Sequence, residues 1–200
     1  MDKPSSKNRR IKLSIVLFLL IYSFAKGQKG PTDGYSDTEN TRLMIHKSIP
    51  KGGLYQGHTK EKYHPSYLVF FSRVINETGK PVELDLNFSA DSIAIPNSPN
   101  IFMKLFLPSD TMTLDKRSLF SYGLTELEGF DELTSFQRKL NPNEECLFYV
   151  VAFFYQPEAG AWVQERGGNR AELFIKGQDL FYRMLPQVDS LDCGKIMFNE

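Results

Sequence analysis

With two cysteines, one tryptophan and three histidines in 200 residues, the chain is poor in the side chains that most often carry chemistry. Two thiols cannot build a disulfide scaffold. Cys146 and Cys193 can close one bridge over about 47 residues, worth roughly 3–4 kcal/mol by loop entropy if their Cα atoms come within about 7 Å. They can equally pack as two small apolar side chains, and neither lies in a nucleophile setting. His46 stands alone, while His58 and His64 share the loop HTKEKYH with Glu61. That spacing fits no zinc pattern, so solvated histidines, no metal and no cofactor are expected.

Other signatures are missing too. No G-x-S-x-G elbow and no glycine-rich phosphate loop occurs, and ERGGNR reads as a hairpin turn. Glu126, Glu128, Asp131 and Glu132 cluster within a few residues, but paired-carboxylate hydrolysis needs one protonated and one ionised acid. Acids on a short helix more simply form its wet face, so no enzyme is expected.

There is one long apolar run, Leu13–Ala25, of 13 residues. A bilayer span takes about 20, whereas a signal-peptide core takes roughly 7–15. Lys7, Arg9, Arg10 and Lys12 precede it, and small residues follow at Ser23, Ala25 and Gly27. Residues 1–27 are therefore expected to be a signal peptide, cut after Gly27 or after Ala25, giving a secreted or periplasmic protein with no membrane association afterwards. Removing them takes six of the 24 basic groups and one of the 24 acidic groups, leaving 18 against 23. A mildly acidic chain lacking basic clusters is a poor partner for nucleic acid.

Residues 28–41, QKGPTDGYSDTENT, are polar and read as a flexible leader. Residues 42–200 then suit a single domain. RLMIH, YLVFFSRVI, VELDLNF, SIAIP, NIFMKLFLP, SFQRKL, CLFYVVAFFY, RAELFIKG, LFYRML and GKIMF read as strands. Val82, Leu84, Leu86 and Phe88 alternate with Glu83, Asp85 and Asn87, the pattern of a strand with one core face and one wet face. The polar knot NETGKP before it makes a turn, through Gly79 and Pro81. The stretch from Ser48 to Ser66 reads as a long loop. Only residues 118–133 change rhythm, with Leu124, Leu127 and Phe130 three apart, which suits a short helix or a helical turn interrupted by Gly129. Eight or nine short strands among these ten candidates, RLMIH and GKIMF being the least marked, predict an all-β antiparallel sandwich. LNPNEECLFYV resembles the corner between strands in immunoglobulin-like sandwiches, with Leu140, Pro142, Glu144 and Tyr149 matching it; the resemblance implies that fold and no activity.

Two anomalies point to surfaces. In CLFYVVAFFY, Leu147, Tyr149, Val151, Phe153 and Tyr155 fall on one face, and Cys146, Phe148, Val150, Ala152 and Phe154 on the other. Neither face is polar, so the strand must be covered twice, by residues 118–133 or by another protein. Trp162 lies in YQPEAGAWVQERGGNR, where it caps the sandwich or, with Tyr155, Glu165 and Arg166, contacts a partner or a glycan. NET at Asn76 and NFS at Asn87 are glycosylation sequons where the host glycosylates. These features lead to the expectation of a non-catalytic module binding another exported protein, with a carbohydrate-binding domain as the alternative.

Overall fold

The computed structural model describes residues 35–37, 42–57, 65–96, 98–127, 130, 132–155, 170–185 and 188–198. The chain parts into two units, residues 1–32 and 33–200, and every described residue belongs to the second. Twelve strands run in chain order among these residues. They are β1 (Tyr35–Asp37), β2 (Leu43–Lys47), β3 (Lys51–Leu54), β4 (Ser66–Asn76), β5 (Val82–Phe88) and β6 (Ile93–Ile95), then β7 (Ser98–Phe106), β8 (Thr134–Leu140), β9 (Glu145–Tyr155), β10 (Arg170–Lys176), β11 (Asp179–Leu185) and β12 (Val188–Phe198). All pairings are antiparallel. One sheet has the order β1-β2-β4-β9-β7-β6, with β3 also on β4; the other has the order β10-β11-β12-β5-β8. We call them the first and second sheets. The all-β antiparallel reading holds.

The inner faces of the two sheets share one apolar cluster, in the manner of a sandwich. Leu43, Phe70, Val74, Phe148, Val150 and Phe154 enter it from the first sheet, and Val82, Leu84, Leu86, Phe88, Tyr182 and Ile196 from the second. The alternation expected of residues 82–88 is the observed one, with Val82, Leu84, Leu86 and Phe88 buried and Asn87 exposed. Glu83 lies opposite Lys139, and Asp85 opposite Lys195, which also faces Asp179. Opposite charges across strands keep that outer face wet.

Three local expectations need correction or qualification. The long loop after Ser48 contains β3, paired with β4 from Lys51↔Val69 to Leu54↔Ser66. Its glycines disguise it, because Gly weakens strand propensity. Gly52 is needed there, since a Cβ on it would lie 2.0 Å from the Tyr67 carbonyl oxygen. Residues 118–133 form no α-helix over the part described. The chain makes 3₁₀ turns at Leu114–Ser118 and Phe120–Gly123, and Ser121 and Tyr122 take φ of 45° and 53°, left-handed values that break helical hydrogen bonding. Within the stretch read as a leader, Tyr35–Asp37 pairs with β2, and the remainder of residues 28–41 lies outside the described residues, as does the signal segment.

Candidate functional site

β9 is the centre of the first sheet, and both of its faces are buried as its composition requires. Cys146, Phe148, Val150, Ala152 and Phe154 face the second sheet. Tyr149, Val151 and Phe153 face outward, into a second cluster with Val69, Phe71 and Phe106. The cover is internal. Met112, Tyr122, Leu124 and Leu127 lie over this face, and the Phe130 ring stacks on Phe153 at 4.5 Å, 2° from parallel.

Polar groups pin the cover. The Tyr149 hydroxyl donates to the Tyr122 carbonyl at 2.7 Å, and the Tyr122 hydroxyl donates to the Ile49 carbonyl at 2.5 Å. Lys51 Nζ donates to the carbonyls of Arg117 and Leu119 at 2.6 and 2.9 Å and sits 4.2 Å from the Tyr122 ring centroid. Burial raises the Tyr149 phenol above its ordinary value, which keeps it a neutral donor.

The segment leaves apolar groups in water at its margin. Phe120 is 70% exposed, Leu54 69%, Ile49 51% and Leu119 49%. The Phe120–Gly123 turn comes up against β3: the Phe120 ring edge would lie 3.9 Å from a Cβ on Gly53.

A second feature lies at the other end of β9. A cleft of about 340 Å³ opens between residues 107–111, the start of β8 and Leu147–Tyr149. Phe136 and Phe148 form part of its lining, their rings 5.0 Å apart. A neighbouring recess of about 410 Å³ shares Pro108, Ser109 and Asp110 and adds Thr125 and Glu126.

Of the residues expected to contact a ligand or partner, Tyr155 alone is described. It ends β9, half-buried, with its ring 5.1 Å from Phe153, 6.3 Å from Phe130 and 5.8 Å from Lys104 Nζ. Its ring is engaged in packing. Trp162, Glu165 and Arg166 lie outside the described residues, as do His58, His64, Glu128 and Asp131. His46 is in β2, and Glu126 and Glu132 are exposed. Among the described residues, no group of three His, Cys, Asp or Glu side chains is placed to hold a metal.

Cys146 and Cys193 are both buried free thiols, one in each sheet. Burial pushes each thiol up to about 12, so both are protonated and unreactive near neutral pH. No protein-family model, no curated protein and no solved structure matches the chain.

Sequence reasoning missed the role of Asn76. It is fully buried, where its side-chain amide donates to the carbonyls of Lys80 and Leu140 at 2.9 and 3.0 Å. Its Oδ1 accepts from the Thr78 N–H and hydroxyl at 3.0 and 2.7 Å. Its backbone donates to Glu144 and accepts from Asn143. One residue thus ties the β4–β5 turn to the β8–β9 turn. In the latter, Asn143 has φ of 64°, and the Asn141 N–H donates to the Glu144 carboxylate at 2.8 Å, holding that carboxyl below its ordinary range. Both amide protons of Asn76 are committed, so the folded residue has no free nitrogen for a glycan. Asn87 is exposed. The signal in the sequence was the sequon's own Asn-x-Thr, which also favours a local Asx turn.

Proposed function

We propose that this is an exported, non-catalytic β-sandwich module for protein binding or assembly, secreted or periplasmic after removal of residues 1–27. One observation carries the reading: Ile49, Leu54, Leu119 and Phe120 are exposed on β3, on the residue pair before it and on the turn that Lys51 and Tyr122 tie to it, in a fold that buries both faces of its central strand. Clustered apolar surface of this kind marks interaction sites more often than it serves folding. The immunoglobulin-like part of the reading draws support from the corner at residues 140–145. There the chain passes from the second sheet to the first through a turn closed by Glu144. Export rests on the basic residues and short apolar run at the start of the chain.

The test is association of the secreted full-length product. Light scattering, and pull-down from the native medium or envelope, give a mass above that of the monomer or a retained partner. Phe120→Asp lowers that association about tenfold or more while leaving the melting temperature nearly unchanged, because Phe120 is mostly solvated. N-terminal sequencing of the same product begins at Gln28. A monomer that retains nothing, or association indifferent to Phe120→Asp, overturns the proposal.

A further inference from the structure

β9 has a strand partner along only part of one side. β4 pairs with it from Glu145 through Phe154, whereas β7 pairs with it only from Val151 to Tyr155. Among the described residues, no strand lies against Glu145–Val150 on the β7 side. The sequence supplies the cause. β7 ends at Phe106, Pro108 follows without an N–H, and the Leu107 N–H turns to the Thr134 hydroxyl at 2.9 Å rather than continuing the ladder.

In an extended strand, alternate residues direct N–H and C=O to opposite sides. Half of the backbone groups of Glu145–Val150 therefore aim away from β4, toward the side on which the 340 Å³ cleft lies. Buried backbone groups need partners, and the groups that answer a row of alternating donors and acceptors best are those of another backbone. The cleft also suits alternating side chains. Leu107, Phe136, Leu147 and Phe148 offer apolar contact, while Ser135 and Asp110 are polar and exposed. Asp110 receives Lys116 Nζ at 3.3 Å yet keeps 42% of its side chain in water, and exposed Glu126 lies in the adjoining recess. Asp110 and Glu126 thus place carboxylates at this end, beside the Lys116 ammonium, while the Arg138 guanidinium acts on Cys146 nearer the start of β9.

We propose that the open side of β9 over Glu145–Val150 is a docking groove for an extended peptide segment of another protein. That segment has about six residues, matching the open stretch at roughly 3.3 Å per residue, with apolar side chains on one face and a Lys or Arg toward Asp110. It adds a strand to the first sheet by β-augmentation: main-chain hydrogen bonds supply affinity, and alternate side chains supply specificity. This goes beyond the binding reading above and uses different residues.

The experiment is amide hydrogen exchange, read by NMR on the full secreted chain, with three synthetic probes. The first is a capped Lys-Thr-Val-Thr-Val-Thr peptide, the second is the same peptide N-methylated at alternate amides, and the third has Glu for Lys. In the free protein, the cleft-facing amides of Glu145–Val150 exchange faster than their β4-facing neighbours. The first probe slows them about tenfold or more, the methylated probe does not, and the Glu probe binds several-fold more weakly. Asp110→Asn removes most of the difference between the Lys and Glu probes. The proposal is overturned by cleft-facing amides already as slow as the others without a probe, or by no slowing at millimolar peptide. It is also overturned by equal slowing with the methylated probe, or by protection that tracks self-association of the chain. Because Phe120→Asp leaves this groove untouched, failure of either proposal is distinguishable from failure of the other.

Discussion

The outer faces of the two sheets start from the same strand geometry and meet solvent in opposite ways. On the second sheet, Glu83, Asp85, Lys139, Lys195 and Asp179 oppose one another in register. Among the described residues its outer face carries a half-buried cross-strand aromatic pair, Phe174 and Phe181, stacked at 5.5 Å with the Arg183 guanidinium over Phe174. On the first sheet the same positions are Phe71, Phe106, Tyr149, Val151 and Phe153, and the chain between β7 and β8 crosses over them. Alternation of charge along a strand therefore tells where water is. Loss of alternation tells that something else is there, and only the three-dimensional structure says what.

The sharpest way to break this contrast is to remove equivalent rings from the two faces. Phe153→Ala empties a site with no solvent exposure that is packed on both sides, and should cost about 3–5 kcal/mol. Phe181→Ala on the wet face should cost about 1 kcal/mol or less. Paired chemical denaturation measures both, and equal losses would show that the covering segment contributes nothing.

Next in size is the joint that holds the two sheets in step. Asn76→Ala leaves the Thr78 N–H and the Leu140 carbonyl without the amide that answers them, and the Lys80 carbonyl with the Thr78 hydroxyl alone. A loss of about 1–3 kcal/mol is expected, with faster exchange at Asn143 and Glu144, whose turn contacts the same residue. Asn76→Asp keeps the acceptor for Thr78 but sets a buried carboxylate oxygen against the Lys80 and Leu140 carbonyls, and should cost at least as much as the alanine change.

The smallest effect near neutrality lies in the thiols of the shared interior. In the unfolded chain they lose protons near pH 9, but in the folded chain only near 12. The folded state thus binds protons more tightly, so the stability these groups confer is full below pH 9 and declines as pH rises from about 9 toward 12. Below pH 8, native Cys146 and Cys193 should resist thiol reagents, and Cys146→Ala with Cys193→Ala should flatten the alkaline decline seen by denaturation across that window.

Much of this was legible in advance, for physical reasons. Residues 82–88 alternate because one face is wet, and residues 146–155 do not because neither is; both patterns are local and survive in one dimension. The cover over β9 was legible in part, since Leu124, Leu127 and Phe130 stood out, whereas Met112 gave no sign. The left-handed turn at Ser121 and Tyr122 was hidden, because neither residue type advertises that conformation as glycine does. β3 was hidden for the opposite reason: its glycines look like a loop until the Tyr67 carbonyl is seen against Gly52. The cleft beside β9 depends on where β7 stops in relation to it. Such a register between distant segments has no local signature.

The buried amide of Asn76 bears on how the protein is to be produced. An oligosaccharyltransferase meets the growing polypeptide before its turns have closed, and a sugar attached to NET at that moment occupies the nitrogen that two carbonyls later require. Yields from a glycosylating secretory host should therefore suffer, and a Thr78→Ala change that abolishes the acceptor sequence would rescue them only by giving up the hydroxyl's contacts with Asn76 and Lys80, which shape the same bend.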